Sequence, residues 1–240
     1  MGMRLIISIL LSLIVAVGAS GQDRYERLAE RAQRSFQWKE WSSAAAMYEL
    51  MLKDRPQELQ SYAHAIVANQ MTSDTTATVD LMQRAMANGL GLGEVLEAVR
   101  TIDFSIYEGD RYGRYLYQLH GAMPWMRRAL DHQLLDYYTM RNDGPKIVEF
   151  ARAMLAGLPE STDYLASLAK GQLLSGQEDE AVATWRKIIE LNPINYNALL
   201  ELGNYYAIKG HKAEAIELLQ RAQDLRPTPF VADLLEKLAR

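Results

Sequence analysis

Residues 196–229 read YNALLELGNYYAIKGHKAEAIELLQRAQDLRPTP, and the thirty-four residues before them, 162–195, read TDYLASLAKGQLLSGQEDEAVATWRKIIELNPIN. The two stretches align without a gap. Leu199, Leu202, Gly203, Tyr206, Ala215, Leu219, Ala222 and Pro227 stand at positions 4, 7, 8, 11, 20, 24, 27 and 32 of the later one. The same positions of the earlier one hold Leu165, Leu168, Ala169, Gln172, Ala181, Trp185, Ile188 and Pro193. Small residues such as Gly203 and Ala215 fit a place where two helices of a hairpin cross closely. Gly176 and Gly210 fit the turn between them, where a positive φ ends the first helix without a Cβ clash.

The same beat runs back along the chain. Five of the seven prolines keep it: Pro193 and Pro227 each follow the previous one, Pro159 and Pro193, by thirty-four positions. Pro159 follows Pro124 by thirty-five, and Pro124 follows Pro56 by two full periods. The skipped beat near position 90 falls in Asn88–Gly93, a helix-breaking stretch of its own. Helical composition interrupted at this period predicts stacked helical hairpins, with units at about 25–58, 59–92, 93–127, 128–161, 162–195 and 196–229. Leu28, Ala32, Ala44, Tyr48, Met51 and Pro56 hold the expected places in the first unit, although Arg31 replaces a usual Leu. Tyr62, Met82 and Ala85 do so in the second, with Thr78 where Ala is usual. The unit 93–127 is atypical, since Asp103-Phe104-Ser105 and Glu108-Gly109-Asp110 interrupt it. Unit 128–161 keeps Leu134, Tyr138 and Pro159, but Ile147 and Ala151 stand where Ala and a large residue belong, which leaves its register open. Residues 229–240 predict a capping helix, with Thr228 as N-cap, Pro229 in the first turn and an apolar stripe of Phe230, Leu234, Leu235 and Leu238.

The repeated pattern of a large residue, Leu-Gly, Tyr, Ala, an aromatic and Pro resembles the tetratricopeptide repeat (TPR) in both spacing and period. The resemblance implies an all-α fold, an α-solenoid of stacked antiparallel helical hairpins. It also implies a concave groove lined by the first helices, which binds extended or helical peptide segments. Groove-facing residues of the family lie mostly at unit positions 2, 5, 9 and 12. Here these are Ala129, His132, Asp136 and Thr139, then Asp163, Ala166, Lys170 and Leu173, then Asn197, Leu200, Asn204 and Ala207. Members that capture a C-terminal carboxylate use a clamp of two Lys, one Arg and two Asn. This chain offers Lys170 and Asn204 but sets Asp136 and Asp163 beside them, so the clamp is incomplete and partly neutralised.

Residues 1–21 differ from the rest. One positive charge at Arg4 precedes the uncharged run Leu5–Ala19, and the small residues Gly18 to Gly21 follow. That is the order of a secretory signal peptide, with Val17 and Ala19, or Ala19 and Gly21, as the cleavage pair. The alternative is an uncleaved anchor, although fifteen apolar residues are fewer than the ~20 that span a bilayer. Myristoylation is excluded because Ile6 stands where Ser or Thr is required. Export to the periplasm or beyond, in a bacterium, is the expectation, with no membrane contact after cleavage.

Composition narrows the chemistry. The 240 residues contain no Cys, which excludes disulfides, thiolate metal sites, a Cys nucleophile and an acylated lipoprotein anchor. A net charge of −4 without a basic run argues against nucleic acid as partner. No two of His64, His120, His132 and His211 are spaced to share a metal. Asp131-His132 with Asp136 one turn later suits a solvated or groove-facing helix surface better than acid–base work, because no nucleophile accompanies it. An enzyme built on His132 and Asp136 is the remote alternative. Gly89, Gly91 and Gly93 read as an inter-repeat loop, since no strand precedes them. The stretch Tyr107, Arg111, Arg114, Tyr115 and Tyr117 carries the residue types that anchor interfaces and reads as a secondary patch, with core packing the alternative for Tyr115 and Tyr117. Tyr112, Leu116 and Leu119 keep the inward period. The eleven methionines read first as gap-fillers between helices. The sequence thus predicts a non-enzymatic interaction scaffold of the bacterial envelope that needs no cofactor and binds a protein or peptide.

Overall fold

The computed structural model describes residues 22–102 and 111–240. The expected export segment 1–21, the interruptions at 103–105 and 108–110, and Tyr107 lie outside the described residues. Among the described residues there are thirteen α-helices and no strand. They are α1 (22–37), α2 (Trp41–Asp54), α3 (Leu59–Met71), α4 (Thr75–Ala87), α5 (Leu92–Ile102) and α6 (Arg111–Ala122) in a first compact unit that ends at Ala122. The second unit, from Met123, holds α7 (Arg127–Arg141), α8 (Gly144–Gly157), α9 (Thr162–Leu174), α10 (Glu178–Leu191), α11 (Tyr196–Lys209), α12 (Lys212–Leu225) and α13 (Pro229–Ala239).

Each unit is a stack of antiparallel helical hairpins, the α-solenoid arrangement. In the second, every helix packs on the next in sequence, from α7 to α13. Its core is built from the repeat positions themselves: Leu165, Ala169, Ala181, Trp185 and Ile188, then Leu199, Leu202, Tyr206, Ala215, Leu219 and Ala222. In the first unit α2 packs on α3, α3 on α4 and α5, and α4 on α5 and α6. The Phe36 ring of α1 meets Trp41, Tyr48 and His64 edge-on at 5.2, 6.2 and 5.0 Å, which ties α1 to α2 and α3.

Polar groups keep the same period as the apolar ones. Ser161 and Asn195, one full period apart, cap α9 and α11 by accepting from the amides of Tyr164 and Ala198, and Thr228 caps α13 through the Val231 amide. Each cap satisfies a helix amide that would otherwise lack a partner. Lys187 Nζ donates to the Pro159 carbonyl at 3.4 Å, and Arg221, one period on, donates to the Pro193 carbonyl at 3.2 Å. The prolines therefore end one hairpin and present an acceptor to a cation on a helix of the next. At the turns, Gly176 and Gly210 have φ of +74° and +81°.

In unit 128–161, Ile147 and Ala151 are both fully buried, so both positions face the core with their sizes exchanged. The bulk of Ile147 is accepted by Gly171 on α9, where a Cβ would stand 2.8 to 3.0 Å from Ile147 and the Val148 amide. Thr78 is buried too, its hydroxyl donating to the Thr75 carbonyl at 2.8 Å. The stripe predicted for α13 needs one correction. Phe230 is 61% exposed, whereas Val231 is fully buried and anchors the helix, with Leu234, Leu235 and Leu238 packed beside it. Pro229 starts the helix at a phase that turns Phe230 outward and the next side chain in.

Candidate interaction face

The residues at unit positions 2, 5, 9 and 12 all lie on α7, α9 and α11 of the second unit. His132, Asp136, Asp163, Lys170 and Asn197 are exposed, while Thr139, Leu200 and Asn204 are half-buried. The physical reason is helical phase. The buried positions of α9 and α11, Leu165 with Ala169 and Leu199 with Gly203, point at the second helices, and residues one position beyond them point away.

Two of these groups meet. His132 Nδ1 lies 3.1 Å from Asp136 Oδ2, one turn along α7, and the His132 ring stands edge-on to Tyr164 of α9 at 6.2 Å. That ring contact links α7 to α9 on this face. The side chains of Asp163, Lys170, Asn197 and Asn204 make no hydrogen bond or ion pair among the described residues, so their bonding capacity faces solvent. The face thus offers an imidazole–carboxylate pair, one ammonium, one carboxylate and two amides, with Leu173 exposed and Leu200 half-covered between them. Such a mixture suits a partner read by hydrogen bonds and a few apolar anchors. His132 and Asp136 are each about half exposed and have no Ser or Thr hydroxyl bonded to them. Among the described residues no three His, Asp or Glu side chains gather as a metal site would need.

The secondary patch divides on the structure. Arg114 is exposed, Arg111 and Tyr117 are half-buried, and Tyr115 is 1% exposed, a wall residue of the first unit rather than a surface anchor. Its burial pushes the phenol well above its usual range, with the Tyr112 phenol beside it adding to the effect. Tyr112, Leu116 and Leu119 are core, as their period predicts.

Two features escaped the sequence reading. A cleft of about 290 Å³ lies between α10, α11 and α12, where Arg186 donates to the Tyr206 hydroxyl at 2.7 Å beside Glu190, Glu214 and Arg221. A smaller cavity lies between α3, α4 and α6 of the first unit. Nothing periodic marks either one, since Arg186 and Arg221 of the cleft stand at different positions of their repeats.

Residues 196–229 match the family profile of the tetratricopeptide repeat. Those thirty-four residues are a tetratricopeptide repeat. No curated protein matches the chain. Among solved structures the chain is similar to YrrB, described as a TPR protein with an unusual peptide-binding site. The two are 16% identical over 86% of this chain and 88% of that one, with a TM-score of 0.39. It is also similar to the TPR2AB domain of the pHSP90 complex of yeast Sti1, at 12% identity, 91% and 100% coverage and a TM-score of 0.40. A third likeness is to MamA AMB-1, at 16% identity, 68% and 96% coverage and a TM-score of 0.47.

Proposed function

We propose that this protein is a non-enzymatic scaffold of the bacterial cell envelope that holds a protein or peptide segment on the α7–α9–α11 face of its second unit. The observation that carries the reading is the recurrence of unbonded polar side chains, Asp163, Lys170, Asn197 and Asn204, at equivalent positions of successive hairpins. A repeated row of unused donors and acceptors is what an extended chain needs, since its own backbone groups repeat as well. Export is proposed on the charge, apolar and small-residue order of residues 1–21. A second reading, an assembly factor tethered by a retained N-terminal anchor, is favoured by the apolar run Leu5–Ala19. Among the described residues no helix is long and apolar enough to cross a membrane. The mature N-terminus separates the two, at residue 20–22 after cleavage or at residue 1 with the anchor retained.

The face itself is tested by placing a photo-crosslinker at Lys170 or Asn204, and at Glu190 on α10 as control, in native envelopes. One protein crosslinked from both α9 and α11 but not from Glu190 is the expected result, lost when Lys170→Glu and Asn204→Ala are combined. Equal crosslinking from Glu190 would move the site off this face.

A further inference from the structure

The small cavity of the first unit has unusual walls. It measures about 130 Å³ and lies between the end of α3, the first turn of α4 and the N-terminal half of α6. Gln70, Asp74, Thr75, Arg111, Arg114 and Tyr115 are among its lining. Three polar atoms of its lining residues are buried without a hydrogen-bond partner among the described residues: Gln70 Nε2, Gln70 Oε1 and the Tyr115 hydroxyl. A buried polar atom left unpaired is costly, and folded proteins hold few of them. Three such atoms on residues that line one cavity point to a ligand that completes their bonds.

The charge on the walls says what kind of group that is. Of the two guanidinium groups, Arg111 already has a partner, whereas Arg114 makes no ion pair or hydrogen bond among the described residues. The one carboxylate, Asp74, is engaged as well, since it caps α4 by accepting from the Ala77 amide at 2.9 Å. One cation is left to meet a ligand, which fits a singly charged anion better than a phosphate dianion. Burial keeps the Tyr115 phenol protonated at neutral pH, so its hydroxyl is available as a donor. Gln70 adds an N–H donor and a carbonyl acceptor, the latter open to water or to an N–H of the ligand.

We infer that this cavity is a binding site for a carboxylate group, held by the Tyr115 hydroxyl, the Gln70 amide and the Arg114 guanidinium. A carboxylate accepts up to about four hydrogen bonds, enough for these donors together. The volume admits a carboxylate with one or two carbons behind it, so the ligand is either a small free acid or an acidic side chain inserted by a partner. The inference is independent of the α7–α9–α11 face, because it concerns other helices in the other unit.

The test follows the Gln70 side-chain NH2 and Arg114 Nε resonances of the isotope-labelled full chain by NMR. The probes are sodium acetate and N-acetyl-aspartyl N-methylamide, each matched by sodium chloride at equal ionic strength. Saturable shifts of both resonances with acetate, absent with chloride, are expected. Saturation by the aspartyl compound as well assigns the source to a protein side chain, and by acetate alone to a free acid. Tyr115→Phe keeps the shape and removes one donor, so it weakens acetate about tenfold with Tm unchanged or raised. Arg114→Met, on an exposed side chain, weakens it by a similar factor and carries the test if the Tyr115 variant does not fold. Shifts equal to those with chloride, or unchanged affinity in Arg114→Met and Tyr115→Phe, would mean a water-filled cavity and overturn the inference.

Discussion

The Cβ that Gly171 lacks would stand 2.9 Å from the Cβ of Ile147, 2.8 Å from its Cγ2 and 3.0 Å from the Val148 amide nitrogen. Helices α8 and α9, from successive hairpins, approach closely enough there that one side must have no side chain. The bulk that the repeat normally places four residues later has moved to Ile147, and Gly171 is its complement.

Gly171→Ala is therefore expected to lose stability even though Ala is the better helix former by about 1 kcal/mol. Overpacking against a branched side chain and a fixed backbone atom costs about 1–3 kcal/mol, and the loss outweighs the propensity gain. Ile147→Ala alone opens a cavity and costs about 2–5 kcal/mol. Combined, the two substitutions should cost less than their sum by about 0.5 kcal/mol or more, the usual scale of coupling between residues in contact. Chemical denaturation of the four proteins measures this, and strict additivity would show that the two residues do not compete for the same space.

The caps and turns that keep the period supply a second expectation. Asn195→Ala removes the acceptor for the Ala198 amide and should cost about 1 kcal/mol. Gly210→Ala forces a Cβ into φ +81° and should cost about the same. The two positions lie at opposite ends of α11, so their effects should add. A Tm series on the singles and the double checks it.

How much of this was legible in advance depends on the kind of contact. Positions 4, 7, 8, 11, 20, 24 and 27 could be read because repeats 162–195 and 196–229 bury all seven alike, which keeps most of them small or apolar. Gly171 with Ile147 is a local exchange of bulk between one residue on each of two helices, and no period marks it. Phe230 differs from expectation because the stripe of α13 reads equally well one residue on: Val231, Leu234, Leu235 and Leu238 stand at i, i+3, i+4 and i+7. The members of the proposed face follow from family positions, and they are exposed or half-buried in the structure. Tyr115 could not be placed that way, since it lies off the period in a unit whose connecting segment departs from the repeat.

His64 gives the first unit a dependence on acidity. Its ring stacks on Tyr48 at 4.8 Å and meets Phe36 edge-on, and burial lowers its pKa below 6.5, partly opposed by the Gln60 carbonyl at Nδ1. A lowered folded-state value means that the unfolded chain binds the proton more readily. Stability is then full above about 6.5 and falls as the pH drops from there toward the folded value. His64→Phe should lessen the fall in Tm between pH 7.5 and 5.5. A fall of the same size in variant and parent would remove His64 from the account.

The pair Gln172 and Thr184 tests what a buried polar contact is worth inside the repeat. Gln172 occupies the position of Tyr206 one unit earlier, and both are buried. Tyr206 reaches out to accept from Arg186, whereas Gln172 is met inside the hairpin by the Thr184 hydroxyl at 2.8 Å. That hydroxyl has one proton and two acceptors, because the Glu180 carbonyl also lies at 2.8 Å. The Gln172 amide therefore depends on Thr184, while Thr184 retains a second partner. Thr184→Val should strand the amide and cost about 1–3 kcal/mol, more than Gln172→Leu, which leaves the hydroxyl bonded to its own helix. The double variant, apolar on both sides, should recover most of the loss. Urea denaturation midpoints order the three, and a double variant weaker than Thr184→Val would mean that the polar pair stabilises the hairpin beyond what apolar packing can replace.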